Sequence, residues 1–166
     1  MSALYVIMGP AGSGKTTIAK AFSDRMDWVM VEGDAHHPQE NVDKQARGEP
    51  LTDADRAKWL DSMVSHINTQ QTDSIVLACS ALTPYVQNRL LNEIQRPCRW
   101  ILLDVPKDVL AARLNARTDH FMPATLLEDQ LSALSPPDDA LWINADQTVS
   151  AICNDICATL GLPQNV

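Results

Sequence analysis

Short apolar runs alternate with longer amphipathic stretches along the chain. Ala3–Met8 (ALYVIM) is rich in β-formers and closed by Gly9, which predicts a strand. Lys15–Met26 places Ile18, Ala19, Ala21, Phe22 and Met26 near helical spacing. Trp28–Val31 reads as a second short strand, whereas His37–Arg47 is polar and its pattern favours no element. Thr52–Asn68 predicts a helix: Thr52 is a candidate N-cap, Asp55 three residues on gives a weak capping box, and Trp59, Leu60, Met63, Val64 and Ile67 form the stripe. Ser74–Cys79 (SIVLAC) is apolar on both faces and predicts a buried strand. A helix over Tyr85–Ile94, a strand over Arg99–Val105 and helices over Pro106–Arg117 and Ala124–Leu134 follow. Leu141–Asn144 is the last strand and Thr148–Leu160 the last helix, with Gly161 as its stop. Five strands separated by helices imply a parallel sheet covered on both faces, a doubly wound α/β fold in one domain spanning 1–166.

The charge balance narrows the partners. Thirteen Lys and Arg against 21 Asp and Glu give a net charge of −8 over 166 residues. That argues against nucleic acid or an anionic membrane as the main partner, since both want a basic face. A small anionic ligand needs only a local cluster of cations and stays open. No apolar run reaches the ~20 residues of a membrane span, and Met1–Pro10 lacks the basic start of a signal peptide. Cys79, Cys98, Cys153 and Cys157 form no C-x-x-C pair beside His. They read as reduced thiols of a cytoplasmic protein, Cys153 and Cys157 as packing residues.

Gly9, Pro10, Ala11, Gly12, Ser13, Gly14, Lys15 and Thr16 satisfy G-x-x-x-x-G-K-[ST] at every fixed position, between a predicted strand and a predicted helix. Glycines let the loop curl so that its N–H groups face phosphate oxygens, and the helix N-terminus adds its dipole. Lys15 supplies a cation to the β- and γ-phosphates, and the Thr16 hydroxyl is the expected Mg²⁺ ligand. The motif alone fits a kinase, an ATPase, a GTPase or a nucleotide switch. The guanine-reading Asn-Lys-x-Asp is absent and the chain is small for a motor, which leaves a small phosphotransferase.

An acceptor pocket belongs at the ends of the neighbouring strands. After the second strand, Asp34 in Glu32–Pro38 (EGDAHHP) is placed to take a hydroxyl proton, to hold water on Mg²⁺, or both; a turn or cap residue is the alternative. After the third strand, Ser80 is either a substrate contact or a helix N-cap. Arg113 and Arg117 lie four apart, hence on one helical face, before the polar break Thr118–Pro123. They suit a lid over phosphates, or a solvated helix end complementing its dipole.

These blocks together resemble the small P-loop gluconokinases, which phosphorylate the 6-hydroxyl of D-gluconate with ATP. The resemblance runs from Val6 to about Pro137 and rests on Met8–Thr16, Glu32–Pro38 with Asn41, Val42 and Lys44, Gly48–Leu60 (GEPLTDADRAKWL), Ala78–Leu82 (ACSAL), Arg113 with Arg117, His120–Pro123 (HFMP), and Leu126, Leu127 and Gln130. It implies a three-layer P-loop fold of the nucleoside-monophosphate-kinase type, with a five-stranded parallel core and a small lid at about 113–135. It also implies ATP and Mg²⁺ as cofactors, contacts of Thr17 and Arg113 with ATP, and a homodimer. Lys15, Asp34 and Arg117 become the expected catalytic set. Asp34, His37, Arg56, Ser80, His120 and Gln130 become the expected acceptor contacts, with Arg56 suited to a carboxylate and His37 to a hydroxyl. Adenine is expected near Ala145–Thr148, stacked by Arg113. The chain departs from the family pattern at His36, Gln45, Lys58, Asp119, Asp129 and Ser135, and Thr83–Gln87 lacks the family's basic residues. Another sugar acid or a polyol is therefore the alternative acceptor, and a non-catalytic nucleotide-binding regulator the alternative of another class. A shikimate kinase is disfavoured, because the second strand carries no Asp-x-Asp and no Gly-Gly-Gly follows the third.

Overall fold

The structure, a computed structural model, describes residues 2–117 and 124–164. Five strands form one parallel sheet: β1 (Leu4–Met8), β2 (Val29–Glu32), β3 (Ile75–Ala78), β4 (Cys98–Asp104) and β5 (Leu141–Asn144), in the order β2-β3-β1-β4-β5. The register pairs Val6 with Leu77 on one side and with Trp100 on the other. β1 is wholly buried, so its continuous apolar run serves two cores. Tyr5 and Ile7 face one, built with Ile18 and Phe22 of α1 (Lys15–Met26), Leu110 and Leu114 of α5 (Lys107–Ala116), and Ile152 and Ile156 of α7 (Val149–Leu160). Leu4, Val6 and Met8 face the other, built with α3 (Asp53–Thr69) and α4 (Pro84–Glu93). The three-layer arrangement is the one expected for alternating β and α elements.

Between β2 and α3 the structure supplies what the polar pattern does not. A 3-10 turn, Gly33–His36, is followed by α2 (Gln39–Ala46), whose only buried residue is Asn41. With no apolar stripe, α2 is held by polar contacts: Asn41 Nδ2 donates to the Asp55 carbonyl (2.9 Å), and Lys44 pairs with Asp55 at 2.7 Å. Asp55 itself completes a full capping box with Thr52 at the start of α3, a device worth about 1 kcal/mol.

One expectation needs correction. The helix carrying Arg113 ends one residue earlier than its pattern predicts. α5 ends at Ala116, and Arg117 is its C-cap in extended conformation (φ −79°, ψ 131°), its N–H closing on Leu114 O at 3.3 Å. The extended ψ turns the chain that follows out of the helix, while Arg117 itself caps the last turn. α6 (Ala124–Ala133) resumes after residues 118–123; His120 lies outside the described residues.

Candidate active site

The parallel sheet puts every strand's C-terminal end on one edge, and the loops there carry the candidate residues. After β1 the chain curls through Gly9, Gly12 and Gly14, all at positive φ, into α1. α1 has no side-chain N-cap and no acidic residue in its first turn. Its leading amides, near Lys15, Thr16 and Thr17, are left for an outside anion. Ser13 Oγ donates to Pro10 O (2.7 Å) and bends the loop back on itself. Lys15 Nζ donates to the same carbonyl at 3.0 Å. Burial lowers its pKa; Asp34 is the strongest opposing influence, followed by Cys79 and Glu32, while Arg117 adds to the lowering. Loop lysine, two carboxylates and the α5-terminal arginine thus share one electrostatic neighbourhood.

The second side of the site comes from β2. Glu32 closes the strand, and its Oε1 accepts from Asp34 N (3.2 Å), which fixes the turn carrying Asp34. Its Oε2 accepts from the Thr16 hydroxyl, joining the β2 end to the first turn of α1. Glu32 is a functional candidate that its place at the end of a strand does not reveal. Its signal in the sequence is Glu32-Gly33-Asp34, two carboxylates two residues apart, a longer-armed equivalent of Asp-x-Asp. Gly33 between them is buried, and a Cβ there would lie 2.6 Å from the Ala78 carbonyl of β3. Its own carbonyl accepts from Trp59 Nε1 at 2.7 Å.

His37 follows the turn and stacks on Trp59, ring centroids 4.4 Å apart and planes within 11°. Burial lowers its pKa; Asp34 acts against that, and Arg56 and His36 add to it. Asp34, His37 and Arg56 therefore belong to one group. Arg56 also pairs with Asp53 at 3.4 Å. Ser80 follows β3 and its carbonyl accepts from Gly9 N at 3.3 Å, so it borders the phosphate loop. Beside it Cys79 is buried, its thiol pushed up to about 12 by desolvation, an inert neighbour at neutral pH.

The last two candidates sit against the phosphate loop. Arg113 donates to Gly12 O (3.1 Å) and to Ala145 O (3.3 Å), which ties the loop to the segment after β5. Gln130 of α6 accepts from Ala11 N at 2.8 Å, which places it against the phosphate loop. Among the described residues no three His, Cys, Asp or Glu cluster as metal ligands. The oxygen pair of Thr16 and Glu32 at the α1 N-terminus nonetheless suits Mg²⁺, which keeps waters and phosphate oxygens as its remaining partners.

Comparison with known proteins agrees with this geometry. Residues 4–137 match the family model described as AAA domain. A gluconokinase of Gluconobacter oxydans (strain 621H) is 43% identical over 136 residues, covering 81% of this chain and 76% of that one. The chain belongs to the gluconokinase family. The thermoresistant gluconokinase of Escherichia coli (strain K12) is 34% identical over 90% of this chain and 88% of its own length. The crystal structure of a gluconokinase from Sinorhizobium meliloti 1021 superposes with a TM-score of 0.84 at 33% identity, covering 96% of this chain and 91% of that one. The chain is thus an ATP-dependent P-loop kinase by family.

Proposed function

We propose that this protein transfers the γ-phosphoryl group of ATP to the 6-hydroxyl of D-gluconate, giving 6-phospho-D-gluconate and ADP. The observation that carries this reading is the convergence of Lys15, from the loop after β1, with Asp34 and Glu32, from the end of β2. The donor side and the acceptor side of a phosphoryl transfer meet there.

In this reading the amides of Gly9–Thr16 and of the first turn of α1, Thr17 included, hold the β- and γ-phosphates, and Lys15 leaves the Pro10 carbonyl to meet them. Mg²⁺, when bound, neutralises phosphate charge; Thr16 and Glu32 are the residues that would hold it, directly or through water. Asp34 accepts a hydrogen bond from the acceptor hydroxyl and takes its proton late in the step. The acceptor oxygen attacks phosphorus opposite the ADP oxygen, which departs onto the loop amides. Arg117, drawn into the field of Lys15, meets charge on the transferred group. Arg113, spanning Gly12 and Ala145, positions the loop against the adenine segment and contacts ATP there. Arg56 pairs with the gluconate carboxylate and His37 with a hydroxyl, while Ser80 and His120 complete the acceptor pocket. Gln130, expected on the acceptor, reaches the site while accepting from Ala11 of the loop. Residues 113–135 serve as the lid of a single domain. No described helix is long and apolar enough to cross a membrane, and a cytoplasmic homodimer completes the reading.

A coupled ADP-release assay over gluconate, other sugar acids and polyols tests it. Gluconate is expected to give the highest kcat/KM. Faster turnover of a polyol lacking the carboxylate would overturn the acceptor assignment.

A further inference from the structure

Asn41 is 3% exposed and the only buried residue of α2, a polar side chain where an apolar one would be cheaper. Its amide nitrogen has two hydrogens and two partners: the Asp55 carbonyl at 2.9 Å and His37 Nδ1 at 3.2 Å. The carbonyl fixes the amide's orientation, since an amide oxygen facing Asp55 O would meet acceptor with acceptor. The same nitrogen then faces His37. A nitrogen donating through its hydrogen requires a lone pair opposite, so Nδ1 is unprotonated and the ring proton sits on Nε2. Stacking on Trp59 holds the ring plane but is indifferent to a half-turn within it. Among the described residues, only the Asn41 contact distinguishes the two flips, because the other would point Cδ2–H at the amide.

We propose that Asn41 is a positioning residue that locks His37 as its Nε2–H tautomer, making His37 a pure hydrogen-bond donor to the acceptor and leaving Asp34 the only base in the group. Nδ1 is occupied by Asn41, so the nitrogen left for a ligand is Nε2. As an N–H it binds an oxygen lone pair of the acceptor and cannot take the proton of the reacting hydroxyl. The groups facing His37 are Asp34 and His36 on its own turn, Arg56 and Trp59 from α3, and Asn41 from α2 backed by the Lys44–Asp55 pair. Burial lowers the ring's pKa, which favours the form with a single proton.

The direct test needs no substrate. Long-range ¹H–¹⁵N NMR of the full-length protein near neutral pH, with His37 assigned by loss of its signals in His37→Gln, is expected to show a pyridine-type Nδ1 and a pyrrole-type Nε2. A proton on Nδ1, or an average of the two tautomers, overturns the proposal. The kinetic arm rests on the gluconate reading and is separable from it, because the tautomer is read without turnover. Asn41→Asp puts an acceptor where the donor was, so the neutral ring should carry its proton on Nδ1 and lose the Nε2–H. The carboxylate also faces the Asp55 carbonyl, a stability cost read separately in the thermal melt. The gluconate KM should then rise about tenfold above the His37 pKa, with the ATP KM and kcat within about twofold. It should recover as the pH falls, because the imidazolium regains Nε2–H. A loss independent of pH marks a merely structural residue and counts against the proposal. His37→Gln retains an N–H near the Nε2 position, and Asn41→Asp should add no further loss in that background; equal losses in both backgrounds also overturn it.

Discussion

Gly33→Ala separates the geometry of the β2 end from general stability. The added Cβ would lie 2.6 Å from the Ala78 carbonyl, about 0.8 Å short of ordinary contact at 3.4 Å. The obstacle is main chain within the sheet, where Ala78 pairs with Glu32, so it has no rotamer to yield. The β2 end must move away from β3, stretching the 2.7 Å bond from Trp59 Nε1 to the Gly33 carbonyl. Overpacking of this kind costs about 1–3 kcal/mol and a weakened buried hydrogen bond about 1 more. At roughly 2–4 °C per kcal/mol for a chain of this size, the melting temperature should fall by about 5–15 °C. Asp34 is the next residue and moves with it. A displacement approaching 1 Å at the acceptor should lower kcat by about 10- to 100-fold, while ATP affinity, set on β1 and α1, stays near that of the parent. Gly161→Ala is the control: it caps α7 at φ 64° with nothing within 4 Å of a new Cβ, so it should cost about 1 kcal/mol and leave kcat intact. Thermal melts and steady-state kinetics on both variants decide the matter. Parental kcat in Gly33→Ala, or an equal loss in Gly161→Ala, would refute the reasoning.

Lys15→Ala and Asp34→Asn should each lower kcat by at least about 100-fold with the melting curve retained; near-parental turnover of Asp34→Asn removes its role as base. Glu32→Gln should raise the Mg²⁺ concentration needed for half-maximal rate about tenfold without weakening metal-free nucleotide binding, and an unchanged Mg²⁺ requirement contradicts its place beside Thr16. Asp55 is lowered from 3.8 to about 2 by the Lys44 hydrogen bond first and by Thr52 next. A depressed carboxylate stabilises the fold above its unfolded pKa and loses that contribution as pH falls from about 4 towards 2. Denaturant melts should therefore show Asp55→Asn less stable than the parent at pH 7, with the gap closing by pH 2; a constant gap would contradict the linkage.

The alternation of strands and helices and the phosphate loop were legible because their causes are local. β1 is apolar at every position since two helical layers bury it, and the loop announces itself by glycine spacing. Asp34 was legible from its place at a strand end. What escaped depends on partners distant in sequence. α2 has no hydrophobic period because Asn41 and Lys44 anchor it to Asp55, so a pattern search finds nothing there. Glu32 looks like a strand terminus until Thr16 is seen to donate to it. Arg117 reads as helical from its spacing, but α5 stops one residue earlier. The bond of Gln130 to the amide of Ala11, 119 positions away, is likewise invisible to any local pattern.

A crystal structure with gluconate, magnesium and a nonhydrolysable ATP analogue measures the convergence itself. The 6-oxygen of gluconate should lie within about 2.6–3.2 Å of an Asp34 carboxylate oxygen and in line with the γ-phosphorus, whose oxygens meet Lys15 and the loop amides. A γ-phosphate seated on the loop with Asp34 facing away from the sugar acid, or with a different hydroxyl presented, would contradict the account.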